Sequence, residues 1–129
     1  MSADVPLPTP AELEVLKILW DRGPSTVREV HEVRLRTDRI RYTSVLRLLQ
    51  NMHDKGLVRR DDSSRSHVFE SVPGREEMET LLVDHFVQTA FGGSAGRLAL
   101  RALSNRQATE AELAEIRRLA DELDESREV

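Results

Sequence analysis

Thr43, Ser44, Arg47, Gln50 and Asn51 recur at helical spacing within RYTSVLRLLQNMHDKGLVRR, residues 41–60. At 100° per residue they fall on one side of a helix, with Val45, Leu48, Leu49 and Met52 on the other. A plain solvated face is usually filled with strong helix formers such as Lys, Glu and Ala. This one holds short side chains that donate and accept hydrogen bonds, and it has no acid before Asp54. Its chemistry is recognition of a polar surface, not bond making.

Catalytic chemistry has little to stand on. His31, His53, His67 and His85 are scattered, with no H-E-x-x-H pair and no glycine-rich phosphate loop. Each reads as a helix-surface or core residue. A Ser–His–Asp set could be assembled from any chain with this many serines, so it carries no weight. GGSAG at 92–96 lacks the lysine and the preceding strand of a phosphate loop and reads as a turn between helices. With no cysteine there is no disulfide, zinc–thiolate site or catalytic thiol. The acids of the last segment, Glu110 to Glu125, read as a solvated helix face. No enzyme activity, metal site or cofactor is expected.

The net charge of −4 is unevenly distributed. Residues 34–65 hold nine Arg or Lys and four acids, a balance of +5, whereas residues 73–129 hold seven basic and twelve acidic residues, a balance of −5. A phosphate backbone responds to the local field, so the basic segment is the part suited to nucleic acid. No apolar run approaches the roughly 18 residues of a membrane span, and the N-terminus lacks a signal-peptide pattern. A cytoplasmic location is expected.

The elements that must carry the polar stripe follow from local signals. Residues 1–8, with Pro6 and Pro8, read as a flexible arm. Thr9, Pro10 and Glu12 form a capping-box pattern for a first helix whose apolar stripe is Leu13, Leu16, Leu19 and Trp20, and Gly23-Pro24 ends it. Thr26 and Glu29 repeat the pattern for a short second helix with Val27 and Val30 inward. The third helix spans about Thr43–Lys55, closed by Gly56. LVRRD and SHVFESV, joined by a polar turn at Asp62–Arg65, read as a β-hairpin. Three helices and a hairpin give a winged helix-turn-helix, residues 9–72. Beyond Pro73-Gly74 the spacing predicts three more helices, residues 73–129. Their apolar residues Leu81, Leu82, Phe86, Leu98, Leu113, Ile116 and Leu123 are too few to close a core alone, which predicts a helical dimerisation domain. The fold class is mainly α with a small β-hairpin wing.

Along residues 7–125 the chain resembles the penicillinase-repressor family of bacterial transcription regulators (BlaI/MecI/CopY). The resemblance rests on LPTPAELEVLKILWDRG at 7–23, TVREVHE at 26–32, YTSVLRLLQNMHDKGLV at 42–58 and FGG at 91–93, in this order and spacing. It implies a homodimeric repressor of antibiotic-resistance or stress genes that sits on double-stranded DNA at a palindromic promoter operator, often with TACA and TGTA halves. By position, the base-reading helix of the family corresponds to Tyr42–His53. Thr43, Ser44 and Arg47 are then the first candidates for reading bases, with Arg47 able to pair with guanine or clamp a phosphate. Gln50 and Asn51 are secondary candidates. Arg41, Tyr42, Arg60, Ser64 and Arg65 are candidates for the DNA backbone, Tyr42 being equally suited to packing at the helix start.

Two departures bear on release from DNA. The copper-responsive branch uses a C-terminal cysteine cluster, and this chain has no cysteine. In the β-lactam-responsive branch a membrane sensor-protease system triggers cleavage of an Asn–Phe bond in the dimerisation helices. Counted from Gly92-Gly93, that bond falls at Arg101–Ala102 here. A sensor of this kind remains a candidate partner, with a different release step. The rival reading is a winged-helix module for protein–protein interaction, but such a module would place apolar anchors on its outer face, and this stripe has none.

Overall fold

Three helices begin on the same local device. In helix α1 (Pro10–Arg22), the Glu12 amide donates to Thr9 Oγ1 at 3.2 Å and the Thr9 amide donates back to Glu12 Oε1 at 2.9 Å. The Thr26–Glu29 pair starts helix α2 (Val27–Arg34) in the same way, and Thr109–Glu112 starts a later helix at Glu110. Each box satisfies amides that the first helical turn leaves without intrahelical partners. The structure is a computed structural model that describes residues 5–104 and 107–127.

After α2 come helix α3 (Tyr42–Lys55), strands β2 (Val58–Asp61) and β3 (Val68–Ser71), and helices α4 (Arg75–Ala90), α5 (Ala95–Ser104) and α6 (Glu110–Arg127). The hairpin expected from sequence is part of a three-stranded antiparallel sheet, because a two-residue strand β1 (Ser25–Thr26) pairs with β3 through Ser25–Phe69 and Thr26–Val68. Two residues are too short to show alternation, so β1 has no periodic signature. Its register anchors the N-terminus of α2 to the wing.

The chain forms two compact units, Met1–Asp84 and His85–Val129. The core of the first takes Val15, Leu16, Ile18 and Leu19 from α1, Val27 and Val30 from α2, Val45, Leu49 and Met52 from α3, then Leu57, Val58 and Phe69. The inner face of α1 is therefore rotated from the expected Leu13–Leu16–Leu19–Trp20 stripe, and Leu13 and Trp20 flank the core, partly buried. Of the expected arm, Val5 packs against the core and Leu7 is exposed, and residues 1–4 lie outside the described residues.

The first unit runs past the Pro73-Gly74 boundary read from the sequence. Met78 of α4 is fully buried in its core, and Leu81 and Leu82 are partly buried against it. Those two leucines, grouped by sequence with the dimerisation residues, spend much of their apolar surface here because the first turns of α4 dock on this core.

A long-range ion pair ties α1 to the far end of α3. Glu12 is only 3% exposed, and Lys55 Nζ donates to both its carboxylate oxygens at 2.8 and 2.9 Å. Burial pushes the Glu12 carboxyl up, but the Lys55 ammonium and the Thr9 amide outweigh this and hold it below the usual glutamate value. Gly56 follows in the left-handed region at φ 84° and lets the Leu57 amide donate to the Met52 carbonyl at 2.9 Å.

In the second unit no residue of α5 or α6 is buried among those described. Leu98 and Leu113 are half-buried, whereas Phe86, Leu100, Ile116, Leu119 and Leu123 are exposed. No helix among the described residues is long and apolar enough to cross a membrane.

Lys55→Met, which strips the charge from above a buried carboxylate, is expected to lower unfolding free energy by about 1–2 kcal/mol, the low end because water screens the partly exposed lysine. Glu12→Gln costs less, since its amide oxygen still accepts from Thr9. Because the Glu12 carboxyl is depressed in the folded state, the contribution of the pair is complete above the ordinary carboxylate range and is lost as pH falls through the folded value. Denaturant titrations across the acid range check both, with a shallower acid loss expected for Lys55→Met.

Candidate nucleic-acid interface

Burial divides α3 into two sides. Val45, Leu49 and Met52 are at 0% exposure, while Thr43, Ser44, Arg47, Gln50 and Asn51 are all exposed. Because residues three and four apart stack on one helical face, the five polar side chains form one continuous outer stripe about 12 Å long at 1.5 Å rise per residue. Leu46 and Leu48 flank it, partly buried against the core.

The start of α3 differs from the boxed helices. Its N-cap, Arg41, makes no side-chain capping bond. The Ser44 and Val45 amides reach the Arg41 carbonyl at 3.0 and 3.2 Å, which leaves the first-turn amides before them with no side chain to accept. The approach to this end is fixed from α2. The Ile40 carbonyl can only accept, so His31 Nε2 carries the proton in their 2.9 Å hydrogen bond. The same ring meets Tyr42 edge-on at 5.7 Å. Tyr42 is 45% exposed, so it packs on His31 and still offers its surface outward.

The wing supplies the basic flank. Arg65 and Ser64 are exposed in the turn between β2 and β3, and the Ser64 hydroxyl donates to the Ser66 carbonyl at 2.8 Å, so its proton is engaged in closing the turn. Arg60 is only part-exposed. Its Nε lies 2.8 Å from Asp62 Oδ1, but the N–H is not aimed at the oxygen, which makes the contact an ion pair and not a hydrogen bond. His67 Nε2 approaches the same oxygen at 3.6 Å. The Ser63 amide holds the Asp61 carboxyl below its usual range, so the wing also carries a fixed negative charge.

Between wing and α3 lies a cleft of about 660 Å³ whose wall includes Tyr42, Gln50, Arg60 and Arg65 from the expected contacts. It also includes Arg28 of α2 and His67, neither of which the sequence marks as a contact. Nothing local marks Arg28; it reaches the cleft because β1 pins the start of α2 against β3. His67 stands in the wing turn, not on a helix or in the core as its sequence reading had it. The structure thus brings Tyr42 and Gln50 of α3 together with Arg60 and Arg65 of the wing in one cleft. Ser64 is not in its wall, and neither are Arg41, Thr43, Ser44, Arg47 and Asn51, which lie exposed along α3 or at its start.

The fold and this outer face define a winged helix-turn-helix protein. The sequence pattern of the penicillinase repressor family matches residues 8–122. The transcriptional regulators BlaI of two strains of Mycobacterium tuberculosis are 38% identical to the chain over 85 residues, which covers 64% of this chain and 62% of each relative. The match thus spans less than two thirds of the length of these curated relatives. Among solved structures, the YusO protein from Bacillus subtilis superposes with a TM-score of 0.51 at 22% identity, over 91% of this chain and 74% of that one, a likeness of fold alone. The chain belongs to the penicillinase repressor family.

His31→Ala is expected to free the loop ahead of α3. Amide hydrogen exchange should speed up at residues 40–45 and stay unchanged at Leu49–Met52, with a global loss of about 0.5–1.5 kcal/mol for one hydrogen bond.

Proposed function

We propose that the protein is a sequence-specific DNA-binding transcriptional repressor that acts as a homodimer on a dyad operator. The observation that carries this reading is the division of α3, fully buried on one face and open on the other with hydrogen-bonding side chains. Family membership and the +5 balance of residues 34–65 support it.

The outer face of α3 enters the major groove. Thr43, Ser44 and Arg47 meet base edges near the helix start, and Gln50 and Asn51 follow along the groove. Arg41 and the uncapped first turn face a phosphate, which open helix amides bind well. Arg60, Arg65 and Tyr42 hold the backbone beside the wing. Asp62 competes with phosphate for Arg60, which limits non-specific adhesion.

Homodimerisation belongs to residues 85–129. Phe86, Leu98, Leu113, Ile116 and Leu123 are the apolar residues a second copy would cover, and the absence of buried residues in α5 and α6 supports this. Two α3 helices then read half-sites about one helical turn, 10–10.5 bp, or a multiple of it apart. Repression follows from occlusion of the promoter, and the chain needs no cofactor for it. Arg101–Ala102 stands on the exposed α5 in place of the family's Asn–Phe pair, so release through a sensor-protease system would use another bond or another signal.

Three variants test this reading. Arg47→Ala is expected to weaken binding to the preferred duplex by about 1–3 kcal/mol with little change on scrambled DNA. Arg65→Ala should weaken binding to all sequences alike and reduce the salt slope by about 1. Equal loss on both duplexes for Arg47→Ala would make it a backbone contact instead. Ile116→Glu is expected to shift sedimentation equilibrium from dimer to monomer; an unchanged mass would move the interface elsewhere.

A further inference from the structure

The only tryptophan of the chain stands where β3 passes into α4. Trp20, near the end of α1, donates its indole N–H to two acceptors, Ser71 Oγ at 3.1 Å and the Pro73 carbonyl at 3.0 Å. The Ser71 hydroxyl donates to the same carbonyl. One residue into α4, the Arg75 guanidinium lies 5.3 Å over the Trp20 ring, and its Nη2 donates to Asp21 Oδ1 at 2.6 Å. The end of α1 therefore grips the last residue of β3, the connection and the first residue of α4 together.

None of these side chains belongs to the outer face of α3 or to the turn of the wing, Ser71 being the last residue of β3, and the fold has other anchors for α4 in Met78 and the leucines behind it. What the cluster adds is direction. An indole N–H fixes the position of its acceptors, a ring face fixes the plane of the cation above it, and Pro73 restricts the backbone between them. An exposed Arg–Asp pair alone would hold little. Here it closes over a ring that is already hydrogen-bonded.

We propose that Trp20, Ser71 and Arg75 form a positioning latch that fixes the direction in which α4 leaves the winged-helix unit, and so sets the half-site spacing the homodimer accepts. This rests on the function proposed above. α4 is one continuous helix of 16 residues that starts in the first compact unit and ends in the second. At 1.5 Å per residue it is about 24 Å long, so a tilt of about 10° at its start moves its far end by about 4 Å. One base pair adds about 3.4 Å along the duplex. A loosened latch therefore admits operators with a spacer wrong by a single step, while each recognition helix still reads its own half.

The test begins by selecting the preferred dyad from a random duplex pool with the wild-type protein. Binding is then measured to that dyad, to the same dyad with its spacer lengthened or shortened by one base pair, and to a duplex with one half-site. Wild-type protein should lose about tenfold in affinity on the altered spacers, since spacing is fixed by dimer geometry. Trp20→Phe, which keeps a ring without the N–H, and Arg75→Ala should discriminate spacers by about threefold or less while binding the single half-site as wild type does. Arg75→Lys, which retains the charge for Asp21 and the ring, should recover part of the discrimination. Undiminished spacer discrimination in both variants overturns the latch. So does a loss of half-site binding in equal proportion, which would make the cluster general support for the fold. Should Trp20→Phe fail to fold, Ser71→Ala removes one acceptor and is read by the same criteria. If the wild-type protein selects no sequence at all, the DNA-reading function fails first and takes the latch with it, a result visible before any variant is made.

Discussion

The structure depends on holding one helix by a single face. Val45, Leu49 and Met52 lose all their exposure to a core built from α1, α2, β3 and the start of α4, and this burial frees the other side of α3 from any packing duty. Burying such side chains contributes about 1.5–3 kcal/mol each, far more than any surface contact of the outer stripe could supply. The polar face can therefore be chosen for recognition. The remaining devices act on the ends of this helix: Glu12 and Lys55 fasten its C-terminus to α1, and His31 fixes the loop that leads into its N-terminus.

Charge is arranged to match. Of the nine basic residues between 34 and 65, four stand between the end of α2 and the start of α3 (Arg34, Arg36, Arg39, Arg41), two lie on α3 and three in the wing. Acids collect on the later helices, so the chain is acidic overall while one region of it is positive. Within that region, Asp62 beside Arg60 and His67 tempers the wing. A wing of arginines alone would adhere to any duplex; one whose cation is already paired must exchange a partner for each phosphate. The second unit follows a different economy. Its helices α5 and α6 bury no residue among those described, and its exposed leucines, isoleucine and phenylalanine make it the part of the chain most in need of a partner surface.

What could be read from the sequence was what local chemistry determines. The Thr-x-x-Glu boxes, the glycine after Lys55 and the two faces of α3 each depend on residues within a turn or two, and all stand where the spacing put them. The phase of α1 did not, because that helix is apolar on several sides and only tertiary contact selects Val15 and Ile18 over Leu13 and Trp20. Strand β1 is not legible in the sequence because two residues carry no period. The Glu12–Lys55 pair and the entry of Arg28 into the cleft join residues far apart in the chain, and nothing in either neighbourhood announces the other. Pro73-Gly74 correctly marked a break between elements, but the first compact unit continues through Met78, since a break in secondary structure need not be a break in packing.

The most direct test of the central claim, that the outer face of α3 reads DNA sequence, is fluorescence anisotropy of the full chain against a TACA/TGTA dyad duplex and a scrambled duplex of equal length, at low and near-physiological salt. A sequence reader keeps tight binding to the dyad as salt rises while the scrambled duplex falls away, because base contacts survive the loss of counterion release. Equal binding to both duplexes, erased together by salt, would contradict the claim for this operator and leave only a basic surface that meets phosphate without reading bases.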